Sequence, residues 1–292
     1  MRGPGAARLA PVDRLDDATL LAWLREDAPH GDLTTATLGL RDEPATLRCA
    51  ARSAMRVAAV EEAARLVELC GGRARPLARS GDDVVAGAPL LAAEGGAAAL
   101  LLAWKVAQTA VEVASGIATE AAAIVAAARS GGRAVPVACT RKAWPGGRAL
   151  AARAVTAGGA VMHRLGLSET VLVFPEHRAL LAPGDVAVAV ARLATALPEK
   201  KIVVETGDEA EALALAAAGV DVLQLERFTP DQVRSLRAAL DRAGLDRPLL
   251  APAGGVTRAN AAAHAAAGAD LLVTSAPYAA PPADVRVRIA RA

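Results

Sequence analysis

Aromatic residues are scarce in this chain: three Trp, two Phe and one Tyr occur among its 292 residues. Hydrophobic residues nevertheless make up 53% of the sequence, so the core is expected to consist mainly of Ala, Val and Leu. The charge is nearly balanced, at a formal +2, and no basic stripe is interleaved with aromatic side chains. These absences argue against a nucleic-acid-binding protein, because such proteins rely on basic surfaces and on base stacking.

Cysteine is rare as well, since the sequence contains only Cys49, Cys70 and Cys139, spaced far apart. No CxxC motif occurs, so neither a disulfide framework nor a thiolate zinc site is expected. The motifs G-x-S-x-G, H-E-x-x-H, the Walker loop and G-x-G-x-x-G are missing too. Any catalytic chemistry is therefore expected from residues outside these motifs.

Long uninterrupted hydrophobic runs are missing. The first residues, MRGPGAARLAP, lack the apolar run of a signal peptide. The most Ala-rich segment, residues 95–128, contains Lys105, Gln108, Glu112 and Glu120, which make a membrane span energetically costly. We therefore expect a cytoplasmic protein that has no membrane partner.

The second half of the chain alternates between two kinds of segment. Six apolar, β-branched runs are separated by Ala-rich helical runs, and a weaker seventh run lies near Val161. The six runs are Ala134–Cys139, Thr170–Phe174, Lys201–Glu205, Asp221–Leu225, Leu249–Ala253 and Asp270–Thr274. Continuous apolar strands with helices between them predict a parallel sheet covered on both faces. An incomplete (β/α) barrel fits this pattern, and so does a doubly wound open sheet, because strand count alone does not determine closure.

The first half has a different character. Its first hundred residues predict a mixed α/β layer domain with few groups suited to chemistry. A long helix is predicted from Ala97 to Arg129, with an interruption at residues 115–119, because Gly116 weakens a helix interior. Lys105 and Gln108 lie one turn apart on this helix and share a face.

Pairs of basic residues follow the predicted strands between residues 138 and 178. They are Arg141-Lys142, His163-Arg164 and His177-Arg178. Polar residues at strand ends are where parallel α/β barrels carry their chemistry. Cations placed there indicate an anionic ligand, because Arg can bind a carboxylate or phosphate with two hydrogen bonds. Solvated surface charge is the alternative for any single residue, but three such pairs favour a functional site.

Carboxylates and glycines end the later strands. Glu205 and Glu226 close two of them, Gly254-Gly255 follows the next, and Thr274-Ser275 follows the last. Carboxylates can hold sugar hydroxyls or a divalent metal, and a glycine pair before a helix exposes N–H groups to a phosphate. The alternatives are rim carboxylates paired with Arg, a simple tight turn, and a core role for His163. Together these residues indicate a site for a phosphorylated sugar and an anionic second substrate.

Several ordered motifs resemble the quinolinate phosphoribosyltransferases (nicotinate-nucleotide pyrophosphorylases, carboxylating). They cover nearly the whole chain: Gly31-Asp32-Leu33-Thr34-Thr35, Ser115-Gly116-Ile117-Ala118-Thr119, Thr140-Arg141-Lys142, His163-Arg164-Leu165-Gly166-Leu167, Val204-Glu205, 219–226 and Gly254-Gly255-Val256. The resemblance implies a type II phosphoribosyltransferase fold, with an open-faced α/β sandwich and an incomplete α/β barrel. We accordingly expect a sandwich domain at 1–112, a barrel domain with the active site at 113–275, and a segment at 276–292 that returns to the sandwich.

The resemblance also implies an activity and an assembly. Members of this family transfer phosphoribose from phosphoribosyl pyrophosphate, with Mg²⁺, to a pyridine dicarboxylate, which then loses carbon dioxide. They form homodimers whose active sites include residues of the partner. Lys105 would reach the partner's site in this way.

Roles for individual residues follow from the same resemblance. Lys105, Arg141, Lys142, His163 and Arg164 would hold the anionic acceptor and pyrophosphate, with Lys142 also catalytic. Glu205 and Glu226 would act in catalysis, position ribose hydroxyls and hold Mg²⁺ indirectly. Gly254, Gly255 and Ser275 would bind the 5′-phosphate.

Some residues depart from the main family pattern. Phe174 stands where the family has Lys, Lys105 where it has Arg, and Glu226-Arg227 where it has Asp-Asn. Four segments, 104–108, 143–146, 167–170 and 176–178, resemble instead the ModD branch, whose members are encoded with molybdate transport genes. We therefore expect a transferase that joins phosphoribose to a nitrogen heterocycle. The alternatives are true quinolinate activity in NAD biosynthesis and a non-catalytic oxyanion or pterin binder on the same scaffold.

Overall fold

The structure is a computed structural model that describes residues 14–182, 186–245 and 248–292. It divides into two compact units. The first unit comprises the chain up to Ala122 together with Trp144–Gly159 and Ala279–Ala292, and the second comprises Ala123–Ala143 and Ala160–Tyr278. The expected domain bounds of 1–112, 113–275 and 276–292 stay a prediction.

The strands and helices are numbered along the chain. The strands are β1 (Pro44–Ala51), β2 (Met55–Arg56), β3 (Arg73–Pro76), β4 (Asp83–Val84), β5 (Pro89–Gly96), β6 (Val137–Cys139), β7 (Val161–Met162), β8 (Val171–Val173), β9 (Ile202–Thr206), β10 (Val222–Glu226), β11 (Leu249–Ala253), β12 (Leu272–Thr274) and β13 (Val285–Arg291). The helices are α1 (Asp17–Asp27), α2 (Leu33–Thr37), α3 (Val60–Leu69), α4 (Ala97–Ser130), α5 (Arg148–Ala157), α6 (Pro175–Arg178), α7 (Val186–Ala196), α8 (Glu209–Ala217), α9 (Pro230–Ala243) and α10 (Ala261–Ala266), with a 3-10 turn at Ala276–Ala279.

The first unit contains a four-stranded antiparallel sheet in the order β13-β1-β5-β3. Every second side chain of β1 is buried, from Ala45 to Ala51, so the sheet has one core face and one exposed face. α3 packs on β3 and β5, and α1 packs on α3, which covers the core face. β13 pairs with β1 from Val285 to Arg291. The C-terminal strand is therefore part of the first unit's sheet.

The second unit contains seven strands that pair only in parallel. Their ladders run β11-β10-β9-β8 and β12-β6-β7. The last strand, β12, pairs with the first, β6, as in a barrel and unlike a doubly wound open sheet. Within the described residues no ladder joins β7 to β8 or β11 to β12, so the barrel is incomplete. All six predicted strands and the weak strand near Val161 are present, and the predicted fold class is confirmed.

The long helix α4 corrects one prediction. It runs without interruption from Ala97 to Ser130, although a break was expected at residues 115–119. Ser115 Oγ accepts a hydrogen bond from the Ala58 N–H at 3.0 Å. A Cβ atom on Gly116 would overlap the Pro281 carbonyl oxygen. Gly116 therefore permits a close backbone contact instead of ending the helix.

α4 is also the most apolar long helix of the described residues. Its length and composition would allow it to cross a membrane, with an 18-residue window of mean hydropathy 1.5. However, 56% of that window is buried inside the structure. Burial of an apolar helix against the rest of the chain is typical of a core helix.

Candidate active site

A cavity of about 770 Å³ lies in the second unit, at the carboxyl ends of the barrel strands. Because the strands are parallel, the residues that follow them meet at one rim. The residues singled out from the sequence that line this cavity include Arg141, Lys142, His163, Arg164, Phe174, His177, Glu205, Glu226, Gly254, Gly255, Thr274 and Ser275. The fold thus gathers residues that are distant in the sequence into one candidate site.

Arg141 and Arg164 provide uncompensated positive charge. Arg141 follows β6 and Arg164 follows β7, where Arg164 is only 5% exposed. Burial, and after it the charge of Arg141, lower the pKa of Arg164 from its ordinary value, and both residues line the same cavity. Within the described residues, Arg141 Nε is buried without a hydrogen-bond partner, and neither guanidinium is paired with a carboxylate. Two cations in one cavity without a counter-charge create a site for an anion.

His163 lines the cavity together with Arg141 and Arg164, but its side chain is neutral. Its pKa is lowered from 6.5, first because burial disfavours the imidazolium and then because Arg164 repels it, while Glu169 has an opposing, smaller effect. At neutral pH the ring is therefore uncharged and can donate or accept a hydrogen bond. The sequence interpretation counted His163 among the cations, and the structure corrects its charge.

Glu205 and Glu226 form the acidic side of the cavity. The pKa of Glu205 is raised, mainly by burial and also by the charges of Glu226 and Glu176. Two contacts oppose this: Gln224 Nε2 donates to Glu205 Oε2 at 2.5 Å, and the charge of Lys142 stabilises the carboxylate. A cavity that contains both unpaired guanidinium groups and close carboxylates can bind an anion and also stabilise a developing positive charge.

Gly254 and Gly255 shape the wall next to Glu226. Both have positive φ angles, of 72° and 95°. A Cβ atom on Gly254 would overlap the Glu226 carboxylate, so only glycine lets this carboxylate lie against the backbone. Asn260 Nδ2 donates to the Gly255 carbonyl at 3.0 Å and fixes the turn. The turn exposes backbone to the cavity, as a phosphate-binding loop requires.

Phe174 forms an aromatic wall. Its ring stacks on His177 with the centroids 5.8 Å apart, and Arg164 Cζ lies 5.6 Å from its centroid. The Phe174 N–H donates to His177 Nδ1 at 2.9 Å, which fixes the orientation of the imidazole. One side of the cavity therefore presents a flat apolar surface beside a guanidinium group.

The third basic pair, His177-Arg178, behaves differently from the other two. Arg178 Nη1 is paired with Glu211, and Arg178 Nη2 donates to the Glu205 carbonyl at 2.9 Å. Its side chain is 12% exposed and does not line the cavity. Arg178 is thus neutralised and holds the end of β9, whereas its position in the sequence suggested a cation for the ligand.

Lys105 is not among the residues that line this cavity. It lies in the first unit, on α4, where Nζ is 3.2 Å from Gln108 Oε1 and 3.9 Å from the centroid of the Trp104 ring. Its expected role across a dimer interface stays a prediction.

Two supporting residues were missed by the sequence interpretation. Gln224 lies two residues before Glu226 on β10, and residues two apart in a strand face the same side, so the spacing could have revealed it. Tyr278 is the single tyrosine of the chain, and its Oη donates to the Thr140 carbonyl at 2.7 Å. This bond holds the loop that carries Arg141, and no local sequence signal indicates it.

The carboxylates of the cavity also indicate how Mg²⁺ could be held. Among the described residues no group of three or more His, Cys, Asp and Glu side chains could hold a metal ion. Burial, which is the main cause of the raised pKa of Glu205, and repulsion from Glu226 and Glu176 both disfavour its carboxylate, and a nearby cation would stabilise it. Since Mg²⁺ is commonly held by one or two carboxylates together with substrate phosphates, the residues fit a substrate-borne ion better than a resident one.

An incomplete parallel barrel with this rim defines an α/β-barrel protein that is built to receive an anionic ligand. Family models give the more specific assignment. The model of the quinolinate phosphoribosyl transferase N-terminal domain matches residues 32–115, and that of the C-terminal domain matches residues 117–288. The chain belongs to the quinolinate phosphoribosyltransferase family, as its motifs predicted.

Individual relatives agree with this assignment. The protein named "Putative pyrophosphorylase ModD" of Rhodobacter capsulatus is 54% identical over 249 residues, which cover 85% of this chain and 95% of the relative. Nicotinate-nucleotide pyrophosphorylase [carboxylating] of Mycobacterium leprae is 32% identical over 265 residues, covering 88% and 91%. The crystal structure of NadC from Streptococcus pyogenes superposes with a TM-score of 0.85 at 26% identity, covering 94% and 96%.

Proposed function

We propose that this protein is a phosphoribosyltransferase of the ModD branch. It would transfer phosphoribose from phosphoribosyl pyrophosphate to a ring nitrogen of an anionic heterocycle and release pyrophosphate. The observation that carries this proposal is the pairing of two unpartnered guanidinium groups, Arg141 and Arg164, with two carboxylates across one cavity. A site for an anion alone gains nothing from Glu205 and Glu226, whereas a reaction that creates positive charge on ribose does.

The proposed reaction is a displacement at C1 of the ribose. The acceptor nitrogen supplies an electron pair to C1 while the C1–oxygen bond breaks, and the electrons of that bond leave with pyrophosphate. The transition state carries positive charge on the sugar ring, as in other reactions at this carbon. Glu205 and Glu226 would stabilise this charge and hold ribose hydroxyls. Lys142, whose charge already acts on Glu205, would neutralise the departing pyrophosphate.

The remaining residues would bind and orient the two substrates. Arg141 and Arg164 would hold the acceptor's anionic group, with His163 as a neutral hydrogen-bonding partner. Gly254, Gly255 and Ser275 would receive the 5′-phosphate through backbone and hydroxyl donors. Mg²⁺, carried by the diphosphate and held indirectly by Glu205 and Glu226, would supply charge neutralisation. A homodimer that completes each site with the partner's Lys105, a cytoplasmic location and a link to molybdate transport stay predictions.

The acceptor is proposed to carry fewer anionic groups than quinolinate. Quinolinate has two carboxylates, and each needs a charged partner once water is excluded. Phe174 offers an apolar ring at this wall, and Arg164 already lies beside it. A flat ring with a single carboxylate would stack on Phe174 and use Arg141 and Arg164 together. True quinolinate activity is the second candidate, supported by the M. leprae relative.

Calorimetric titration with phosphoribosyl pyrophosphate and Mg²⁺ tests the proposed substrate. We expect saturable binding and, with an acceptor present, release of pyrophosphate. Arg141→Ala should weaken acceptor binding by about 2 to 4 kcal/mol, because a charge-assisted contact in a half-buried site is lost. The melting temperature should be nearly unchanged.

Arg242→Ala is the matched control, because Arg242 lies exposed on α9 and does not line the cavity. Absence of phosphoribosyl pyrophosphate binding, or unchanged affinity for the acceptor in the Arg141 variant, would contradict the proposal. Binding without pyrophosphate release for any heterocyclic acid would favour a non-catalytic binder.

A further inference from the structure

A second group of arginines lies on the exposed face of the first unit's sheet. The strand register places Arg75, Ala92, Arg48 and Arg288 in one row across β3, β5, β1 and β13. Residues directly opposite one another in antiparallel strands project to the same face. Arg286, opposite Ala50, adds a fourth arginine in the next row. Four basic side chains therefore share one face.

These arginines have no counter-charges of their own. Arg48, Arg75, Arg286 and Arg288 are exposed, and none has an ion-pair or hydrogen-bond partner within the described part of the chain. On this face of the four strands the one carboxylate is Glu94, which is paired with Arg73 at 3.2 Å. Like charges directly opposite each other, such as Arg48 and Arg288, destabilise a sheet. A bound anion would remove that repulsion.

The same face contains a cavity of about 350 Å³, whose lining includes Arg48, Arg75 and Ala92 together with the paired Arg73 and Glu94. Ala92 separates the two arginines in the row, and its small side chain leaves room above the sheet. Thr46 adds a hydroxyl donor to the lining. Adjacent strands are about 4.8 Å apart, so the Cα atoms of Arg48 and Arg75 are separated by about 10 Å. Two long side chains that start at this separation can bind linked anionic groups from both sides.

We propose that this sheet face is a second anion-binding site, which takes a small molecule carrying a diphosphate. A diphosphate suits the site because its two phosphoryl groups can each engage one arginine, while Arg288 and Arg286 add long-range attraction. The face has few apolar side chains, so an apolar partner would gain little from covering it. The proposal does not depend on phosphoribosyl transfer in the barrel.

Calorimetric titration with inorganic pyrophosphate, without divalent metal, tests this site. The barrel cavity is first disabled with Arg141→Ala and Lys142→Ala in the full chain. We expect this background to bind pyrophosphate saturably and orthophosphate more weakly. Adding Arg48→Gln and Arg75→Gln should reduce the affinity by about tenfold or more, since two charge-assisted contacts are lost.

The matched control adds Arg25→Gln and Arg79→Gln, which remove the same charge from exposed positions of the first unit that do not line this cavity. Preserved affinity in the control supports a specific site. Equal losses in both pairs, equal affinity for orthophosphate, or no saturable binding would overturn it. If the background chain does not fold, the same pairs are compared in the unaltered chain, where the bound pyrophosphate should fall from two to one.

Discussion

Glu205 lies at the rim of the cavity, and its ionised form lowers the free energy of unfolding. Burial raises the pKa of its carboxyl group, and the charges of Glu226 and Glu176 raise it further. The native state therefore binds the proton more tightly than the unfolded chain does. The stability associated with Glu205 is full below its ordinary pKa and is lost as the pH rises through the raised value. The fold therefore disfavours the ionised form of this carboxyl group.

Glu205→Gln should consequently stabilise the protein while it removes the proposed activity. The substituted amide keeps the size of the side chain but carries no charge, so the repulsion from Glu226 and Glu176 disappears. We expect a higher melting temperature at neutral pH, and a difference that shrinks as the pH falls through the acidic range. Thermal melts of both proteins across this range measure it. A lower melting temperature at neutral pH would contradict the argument.

Phe174 determines which acceptors the cavity can take. Phe174→Lys should raise kcat/KM for quinolinate, by about tenfold to a hundredfold, because a second carboxylate then gains a partner. The assays use saturating phosphoribosyl pyrophosphate, so that the compared kcat/KM values depend on the acceptor alone. Phe174→Leu is the control, since it removes the ring without adding charge.

One result would contradict this interpretation of Phe174, and one neighbouring residue could mask the expected effect. Efficient turnover of quinolinate by the unaltered protein would show that Phe174 does not exclude the second carboxylate. The nearby Glu176 lines the same cavity and could neutralise the new lysine. A combined Phe174→Lys and Glu176→Gln variant separates that effect from a wrong assignment.

At the scale of elements, the short helix α6 carries part of the rim and is held by one network. Arg178 at its end pairs with Glu211 on α8 and donates to the Glu205 carbonyl on β9. Glu211 also accepts a hydrogen bond from the Thr206 hydroxyl. The network joins β9, α6 and α8, so it positions Glu205 and the Phe174 wall without contacting the ligand.

The coupling between Arg178 and Glu211 should be measurable. Arg178→Ala, Glu211→Ala and the double variant form a cycle, for which we expect a coupling of about 1 to 3 kcal/mol in urea unfolding. The exposed pair Asp231–Arg234, separated by three residues on α9, is the matched control, with an expected coupling of about 0.3 kcal/mol. Equal coupling in the two pairs would show that Arg178 acts as an ordinary surface charge.

Prediction succeeded best at this scale of elements. The six strand intervals, such as Lys201–Glu205, were recognisable because apolar β-branched runs alternate with helical ones. The expected break in α4 was wrong, because the intrinsic weakness of Gly116 in a helix is overridden by its close approach to Pro281. A contact between residues so far apart in the sequence has no local signature.

For the whole molecule, the family resemblance predicts a homodimer in which Lys105 serves the partner's site. Mixing an inactive Lys105→Ala chain with an inactive Arg141→Ala chain should then restore part of the activity. In a mixed dimer, one of the two sites would contain both intact residues. Pyrophosphate release after verified subunit exchange measures the recovery. No recovery after exchange would mean that the two residues serve a site within one chain.

The sequence by itself determined the barrel strands, the family and the residue types that meet at the rim, because periodicity and position at strand ends are local properties. The tertiary structure decided which charges are free. Arg164 and Arg178 each follow a histidine and look equivalent in the sequence. Glu211, distant along the chain, neutralises Arg178, whereas no carboxylate among the described residues is paired with Arg164. The protonation of His163 and Glu205 was decided in the same way, since desolvation and distances between remote groups set a pKa.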